Sequence, residues 1–155
     1  MFLLRTGTKM IHVPYKGSGP AAVDLAAGVV QVMFSTAPAV MPLIRANRIR
    51  PLGVASNNRS AFLPDVPTMK EAGVVDFVAD NWYGVLVPTG TPKPVIERLH
   101  REIVKAVALQ DAKDRFFGAG LEVKSSTTPL EFGAFVQNDV ARWADVIKRA
   151  NIKMD

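Results

Sequence analysis

The chain of 155 residues contains no cysteine. Disulfides, thiolate metal sites and a thiol nucleophile are therefore excluded, while the redox compartment stays undecided. Histidine is nearly absent too: His12 falls in an apolar segment and His100 in a helical one, far apart in sequence. Long apolar runs are missing, and nothing approaches the ~20 residues that a membrane span needs. Met1–Arg5 is too short for the apolar core of a secretory signal, and no small-residue cleavage site follows a basic segment, so no export signal is visible. The net charge is +5, but single-sign charge blocks are lacking. Basic residues cluster only from Arg45 to Arg50, without interleaved aromatics and where a helix should end. Complementation of a helix dipole explains such a cluster, and no nucleic-acid partner is expected.

Catalytic and cofactor motifs are absent as well. No serine sits in G-x-S-x-G, and H-E-x-x-H, an EF-hand loop, a P-loop and G-x-G-x-x-G are all missing. Acidic pairs such as Asp76 and Asp80 flank a loop rather than a pocket signature. No acid–base pair is found, so no enzyme, catalytic residue, metal site or cofactor is expected.

What is present begins with His12-Val13-Pro14-Tyr15-Lys16-Gly17-Ser18-Gly19-Pro20. Met10–Val13 reads as a strand end, and Pro20 to Ala27 reads as a helix with proline at its first position. The glycines and serine between them permit a tight turn, and Ser18 or Gly19 can cap the helix. Free N–H groups at the positive end of a helix dipole suit a carboxylate or phosphate. The same residues also describe an ordinary strand–loop–helix turn. A second loop of this kind is Ser35-Thr36-Ala37, which follows the apolar run Val29–Phe34 and caps a helix reaching about Asn47. Lys16 could attract an anion, and Trp82 could wall a site or simply pack in the core.

Ile49–Ala55 reads as a third strand, which gives strand, helix, strand, helix, strand and predicts a mostly parallel sheet. In such a sheet both loops lie on one edge, where open α/β folds bind ligands. Thr68–Glu71 is a capping box opening a short helix that ends at Gly73. Phe77–Val87 reads as a long strand and Leu121–Val123 as a short one. Thr91–Pro94 opens an amphipathic helix carrying Val95, Ile96, Leu99, Ile103, Val104 and Val107 on one face. Ala112–Phe117 reads as another short helix. Thr128–Glu131 is a second capping box, whose helix runs to about residue 150. A composition shift near Gly73–Asp76 marks a lobe boundary.

Five blocks in order carry a resemblance. They are residues 12–21, Gln31–Phe34, Leu63–Thr68, Trp82–Gly84 and Gly90–Pro94. Together they resemble the Bug-type solute receptors, the extracytoplasmic binding proteins of tripartite tricarboxylate transporters. The resemblance implies an α/β, type II periplasmic-binding-protein-like fold, mostly parallel sheet with flanking helices. It also implies that the chain is truncated at its N-terminal side and corresponds to the carboxy-terminal half. Residues 1–75 would form most of the second, ligand-binding lobe. Residues 76–155 would form the crossover strand and part of the first lobe.

By the same resemblance the function is a periplasmic receptor for a small carboxylate, working with membrane transporter subunits. The ligand would meet Tyr15, Lys16, Gly17, Ser18, Gly19, Pro20 and Ala21, then Ser35, Thr36 and Ala37, and Trp82. Many relatives carry aspartate where this chain has Ser35, so any contact of that carboxylate is altered. The alternative is a vestigial domain acting as an oligomeric scaffold without solute. Helices 92–109 and 128–150 carry broad apolar faces suited to covering a sheet. Where that sheet is lacking, a homo-oligomer through these faces is expected.

Overall fold

The computed structural model describes residues 1–152 and contains six helices. They are α1 (Phe2–Thr6), α2 (Ser18–Ala26), α3 (Ala37–Arg45), α4 (Lys93–Ala108), α5 (Gln110–Gly118) and α6 (Pro129–Arg149). The chain divides into two compact units. A loop-rich unit holds Phe2–Trp82 with Phe116–Leu121; a helical unit holds Tyr83–Arg115 and the chain from Glu122 onward.

Four of the helices, α2, α3, α5 and α6, stop where the sequence carries a residue able to take a left-handed conformation. At Gly28, Asn47, Gly120 and Asn151 the φ angle is 78°, 54°, 81° and 49°. Each is followed by a residue whose N–H reaches back five positions, as Val29 does to Asp24 and Leu121 to Phe116, both at 2.9 Å. This pairing satisfies carbonyls that the last helical turn leaves open, and glycine or asparagine permits it.

In the loop-rich unit α2 packs against α3, and their buried residues are Ala21, Ala22 and Met41. The turn ending α5 presses on the start of α3: a Cβ added at Gly120 would lie 2.7 Å from Met41 Cγ and 3.2 Å from Ala37 Cβ. The Arg45 guanidinium holds the same turn by donating to the Gly118 carbonyl at 2.9 Å. A second cluster joins α1 to two extended segments, with the Phe2, Phe34 and Phe77 rings 5.3–6.0 Å apart. Phe77 is buried, whereas Phe34 stays more than half exposed.

The expected parallel sheet is not formed among the described residues. Val29–Phe34 and Phe77–Val87 run without ladder partners, as does Leu121–Val123. Within Ile49–Ala55 one parallel bridge forms, Val54 to Thr68, with Val54 N–H donating to the Pro67 carbonyl and Met69 N–H to the Val54 carbonyl, each at 2.9 Å. Apolar pattern makes segments suited to a sheet but does not supply their neighbours. Large apolar side chains on them accordingly face solvent, Ile11 being 93% and Leu86 75% exposed.

The first capping box does form, although it opens a single turn and not a helix. Thr68 N–H donates to Glu71 Oε2 at 2.8 Å, and Glu71 N–H donates back to Thr68 Oγ1 at 3.1 Å. Arg59 adds a bond to the same carboxylate at 2.9 Å. Gly73 then ends the turn at φ 90°. The second box caps α6 differently. Glu131 N–H donates to Thr128 Oγ1 at 3.1 Å, while its carboxylate accepts from Thr127 N–H, one residue earlier than the reciprocal pattern.

Two tests follow from this packing. Gly120→Val forces a left-handed φ on a branched residue and drives it into Met41. A loss of about 1–3 kcal/mol is expected, read from the urea midpoint. An unchanged midpoint would contradict the contact. The Thr68 N–H and then Arg59 hold the Glu71 carboxyl below the ordinary carboxylate range. A folded value below the unfolded one stabilises above the unfolded pKa, and that stabilisation disappears as pH falls through the folded pKa. Glu71→Gln should therefore flatten the loss of stability below about pH 5, measured by denaturation across a pH series. An acid limb as steep as the parent's would argue against the box.

Candidate functional site

The first predicted loop lies at the start of α2, but the helix begins earlier than proline alone suggests. Its N-cap is Gly17, at φ 132°, and Ser18 and Gly19 are already helical. The expectation that Ser18 or Gly19 would cap the helix, with Pro20 at the first position, is corrected accordingly: Pro20 is the third helical residue. The φ at Gly17 explains the shift, because only glycine takes that conformation without strain, so the chain turns there. First-turn N–H groups of a helix have no intrahelical acceptor. Those of Ser18 and Gly19 are in that position, Pro20 having none, and Gly17 offers no side chain to cover them.

The second loop behaves alike. Thr36 is the N-cap of α3 in extended conformation, and its side chain makes no capping bond. Ala39 N–H is occupied by the Thr36 carbonyl at 3.2 Å, and Ser35 Oγ turns to the same carbonyl at 3.3 Å. Ala37 N–H belongs to the open first turn. The structure thus places residues 15–21 and 35–37 at the starts of two helices that pack together, neither N-terminus carrying a side-chain capping bond at its positive dipole end. Ser35 and Lys16 are exposed, and Trp82 is half-buried in the same unit.

One relationship is invisible in the sequence. Tyr15 OH donates to Asp24 Oδ2 at 2.6 Å, spanning the whole loop from its first residue to the second turn of α2. The Tyr15 hydroxyl is thereby committed to the protein, and the bond holds its pKa above the ordinary phenol value. Tyr15 and Asp24 together hold the loop in place, which differs from the direct ligand contact expected of Tyr15. Its nine-residue spacing matches no helical or strand repeat, so the sequence carries no signal for it.

The basic cluster at the opposite end of α3 lines a shallow open cavity of about 420 Å³, among Ile44, Asn47, Arg48, Ile49, Arg50 and Pro51. It shares no residue with either loop. Cations at a helix C-terminus complement the dipole there, as anticipated from the sequence. Among the described residues no group of three or more His, Asp or Glu side chains could hold a metal, and no helix is long and apolar enough to cross a membrane.

The described residues match solved periplasmic binding proteins over about half of those chains' length. Solved structures superimpose on it closely. Rpa4515 of R. palustris with adipate matches 97% of this chain and 50% of its own, at TM-score 0.89 and 34% identity. MatC (Rpa3494) of Rhodopseudomonas palustris with bound malate matches 94% and 50%, at TM-score 0.83 and 29% identity. Among curated relatives, protein BugT of Bordetella pertussis is 38% identical over 154 residues, 99% of this chain and 47% of that protein. A UPF0065 protein from the clcB–clcD intergenic region of Pseudomonas knackmussii is 30% identical over 92% of this chain and 85% of its own length. The profile of the tripartite tricarboxylate transporter family receptor, TctC, matches residues 1–152. The chain belongs to that receptor family, a family of solute-binding receptors and not of enzymes. It spans about half the length of most of the relatives it matches.

The Tyr15–Asp24 bond gives a direct test of loop order. Tyr15→Phe and Asp24→Ala should each speed amide exchange at Gly17, Ser18 and Gly19 several-fold while leaving α3 unchanged. Asp24→Asn should also lower the ultraviolet titration midpoint of Tyr15 toward the ordinary phenol value. Unaltered exchange in all variants would show that the loop is held by other means.

Proposed function

We propose that this chain supplies carboxylate-facing loops of a TctC-type solute receptor. The observation that carries this reading is the pair of packed helices, α2 and α3, whose N-termini are left uncovered by side chains. Main-chain N–H groups at a positive dipole end suit a carboxylate, and relatives of similar fold are solved with adipate and with malate. Residues 1–75 are assigned to the ligand-binding lobe and 76–155 to the crossover and the first lobe. Gly17, Ser18, Gly19, Pro20, Ala21, Ser35, Thr36 and Ala37 face the solute, Lys16 attracts it, and Trp82 supplies an aromatic wall. Di- and tricarboxylates and related organic anions are the substrate class. The setting is periplasmic, with membrane transporter subunits receiving the solute.

Gly19 provides the control. A Cβ there would meet nothing within 4 Å, and its φ is not left-handed, so a bulky side chain is compatible with the fold yet stands over the loop. Adding adipate, malate or citrate at matched ionic strength should shift the amide signals of Gly17, Ser18 and Ala37, and Gly19→Phe should weaken this about tenfold or more. Absence of any shift with all three carboxylates would sink the reading.

A second reading, an oligomeric scaffold without solute binding, is favoured by the apolar side chains exposed on α4 and α6, among them Val95, Leu99, Phe135 and Val140. It expects self-association in sedimentation velocity that carboxylates leave unchanged. A monomer that responds to carboxylate would remove it.

A further inference from the structure

Helix α3 is gripped at both ends by one turn that lies far from it in the chain. At the last helical residue, the Arg45 guanidinium donates to the Gly118 carbonyl, 73 positions away, at 2.9 Å. At the first, the neighbour is Gly120. A Cβ built on that glycine would stand 3.2 Å from Ala37 Cβ and 3.6 Å from the Ala37 carbonyl carbon. The same Cβ would come within 2.7 Å of Met41 Cγ, one turn further along the helix.

The turn is itself fixed. Gly120 is buried and takes φ 81°, a conformation that glycine adopts without strain. Leu121 N–H returns to the Phe116 carbonyl at 2.9 Å, and the Phe117 ring meets Phe62 edge-on with centroids 6.2 Å apart. Phe62, all of α3 and residues 116–121 belong to the loop-rich unit, so the grip lies wholly inside it. Complementation of the helix dipole accounts for a cation at Arg45, but that effect fades within the last turn. Ala37 stands at the opposite end of a nine-residue helix.

We infer that Arg45 and the turn Gly118–Gly120 are positioning residues of the solute site: they fix the place of the Ala37 N–H at the open start of α3. The inference rests on the receptor reading, which assigns Ala37 to the solute. Groups that recognise a ligand must be held within about 0.5 Å of their working place by the packing and hydrogen bonds behind them. Main-chain N–H groups have no rotamer to adjust, so the helix as a whole must be set. Arg45 and Gly120 do this from behind, without touching the solute.

The test compares Arg45→Met, Arg45→Lys and Gly120→Ala with the parent by amide resonance, first free and then titrated with adipate, malate and citrate. In the free chain Arg45→Met should move the Ala37 signal, although the new side chain sits at the far end of α3, while Gly17 and Ser18 stay in place. Gly120→Ala should do the same. Arg45→Lys should resemble the parent, because its ammonium can still donate to the Gly118 carbonyl. Affinity for the carboxylate that the parent binds should fall about threefold or more in Arg45→Met and Gly120→Ala. Arg45 is exposed, so its variants keep the test open if Gly120→Ala does not fold. A change in Arg45→Met confined to the last turn of α3 would identify dipole complementation alone and overturn the inference. A displaced Ala37 with unchanged affinity would overturn it too. A parent that responds to no carboxylate strikes the receptor reading, and the Ala37 signals of the free variants then decide whether the turn positions α3.

Discussion

Backbone hydrogen bonding of the extended segments is the constraint on which this structure turns. A strand is half of a structure, since its N–H and C=O groups need neighbours in space that its own sequence does not supply. Helices satisfy theirs internally, and all six form with defined ends. The segments meant for a sheet hold their extended course yet gain a single parallel bridge, at Val54 and Thr68. The close superposition on half of Rpa4515 places this outcome within the receptor fold.

That division explains what the sequence disclosed. Helix ends were readable because glycine and asparagine mark left-handed positions, as at Gly28, Asn47 and Gly120. The two capping boxes were readable because a threonine hydroxyl can accept from the N–H three residues on, as it does in both, although the Glu131 carboxylate turns to Thr127. The box at Thr68 nevertheless opens only a turn, since Gly73 follows too soon for a helix to propagate. The apolar runs were readable, but no strand forms from them among the described residues, because pattern fixes which face is apolar and not who lies beside it. The Tyr15–Asp24 bond escaped notice for a related reason. It depends on how the chain reverses at Gly17, and no spacing rule encodes that reversal.

The candidate site follows the same logic at smaller scale. Gly17 cannot cover the N-terminus of α2 because it has no side chain, and Thr36 does not cover that of α3. What looks like a missing cap in a stability account is an available donor set in a binding account. The Tyr15 hydroxyl, assigned to the ligand from the sequence, is engaged by Asp24 and acts on the shape of the loop.

The central claim is that the two uncovered helix N-termini hold a carboxylate. Calorimetry of the chain with adipate, malate and citrate tests it most directly. The account predicts saturable heat with at least one of them and its loss in Gly19→Phe. Heat of the same size in Gly19→Phe, or no heat with any of the three, would contradict it.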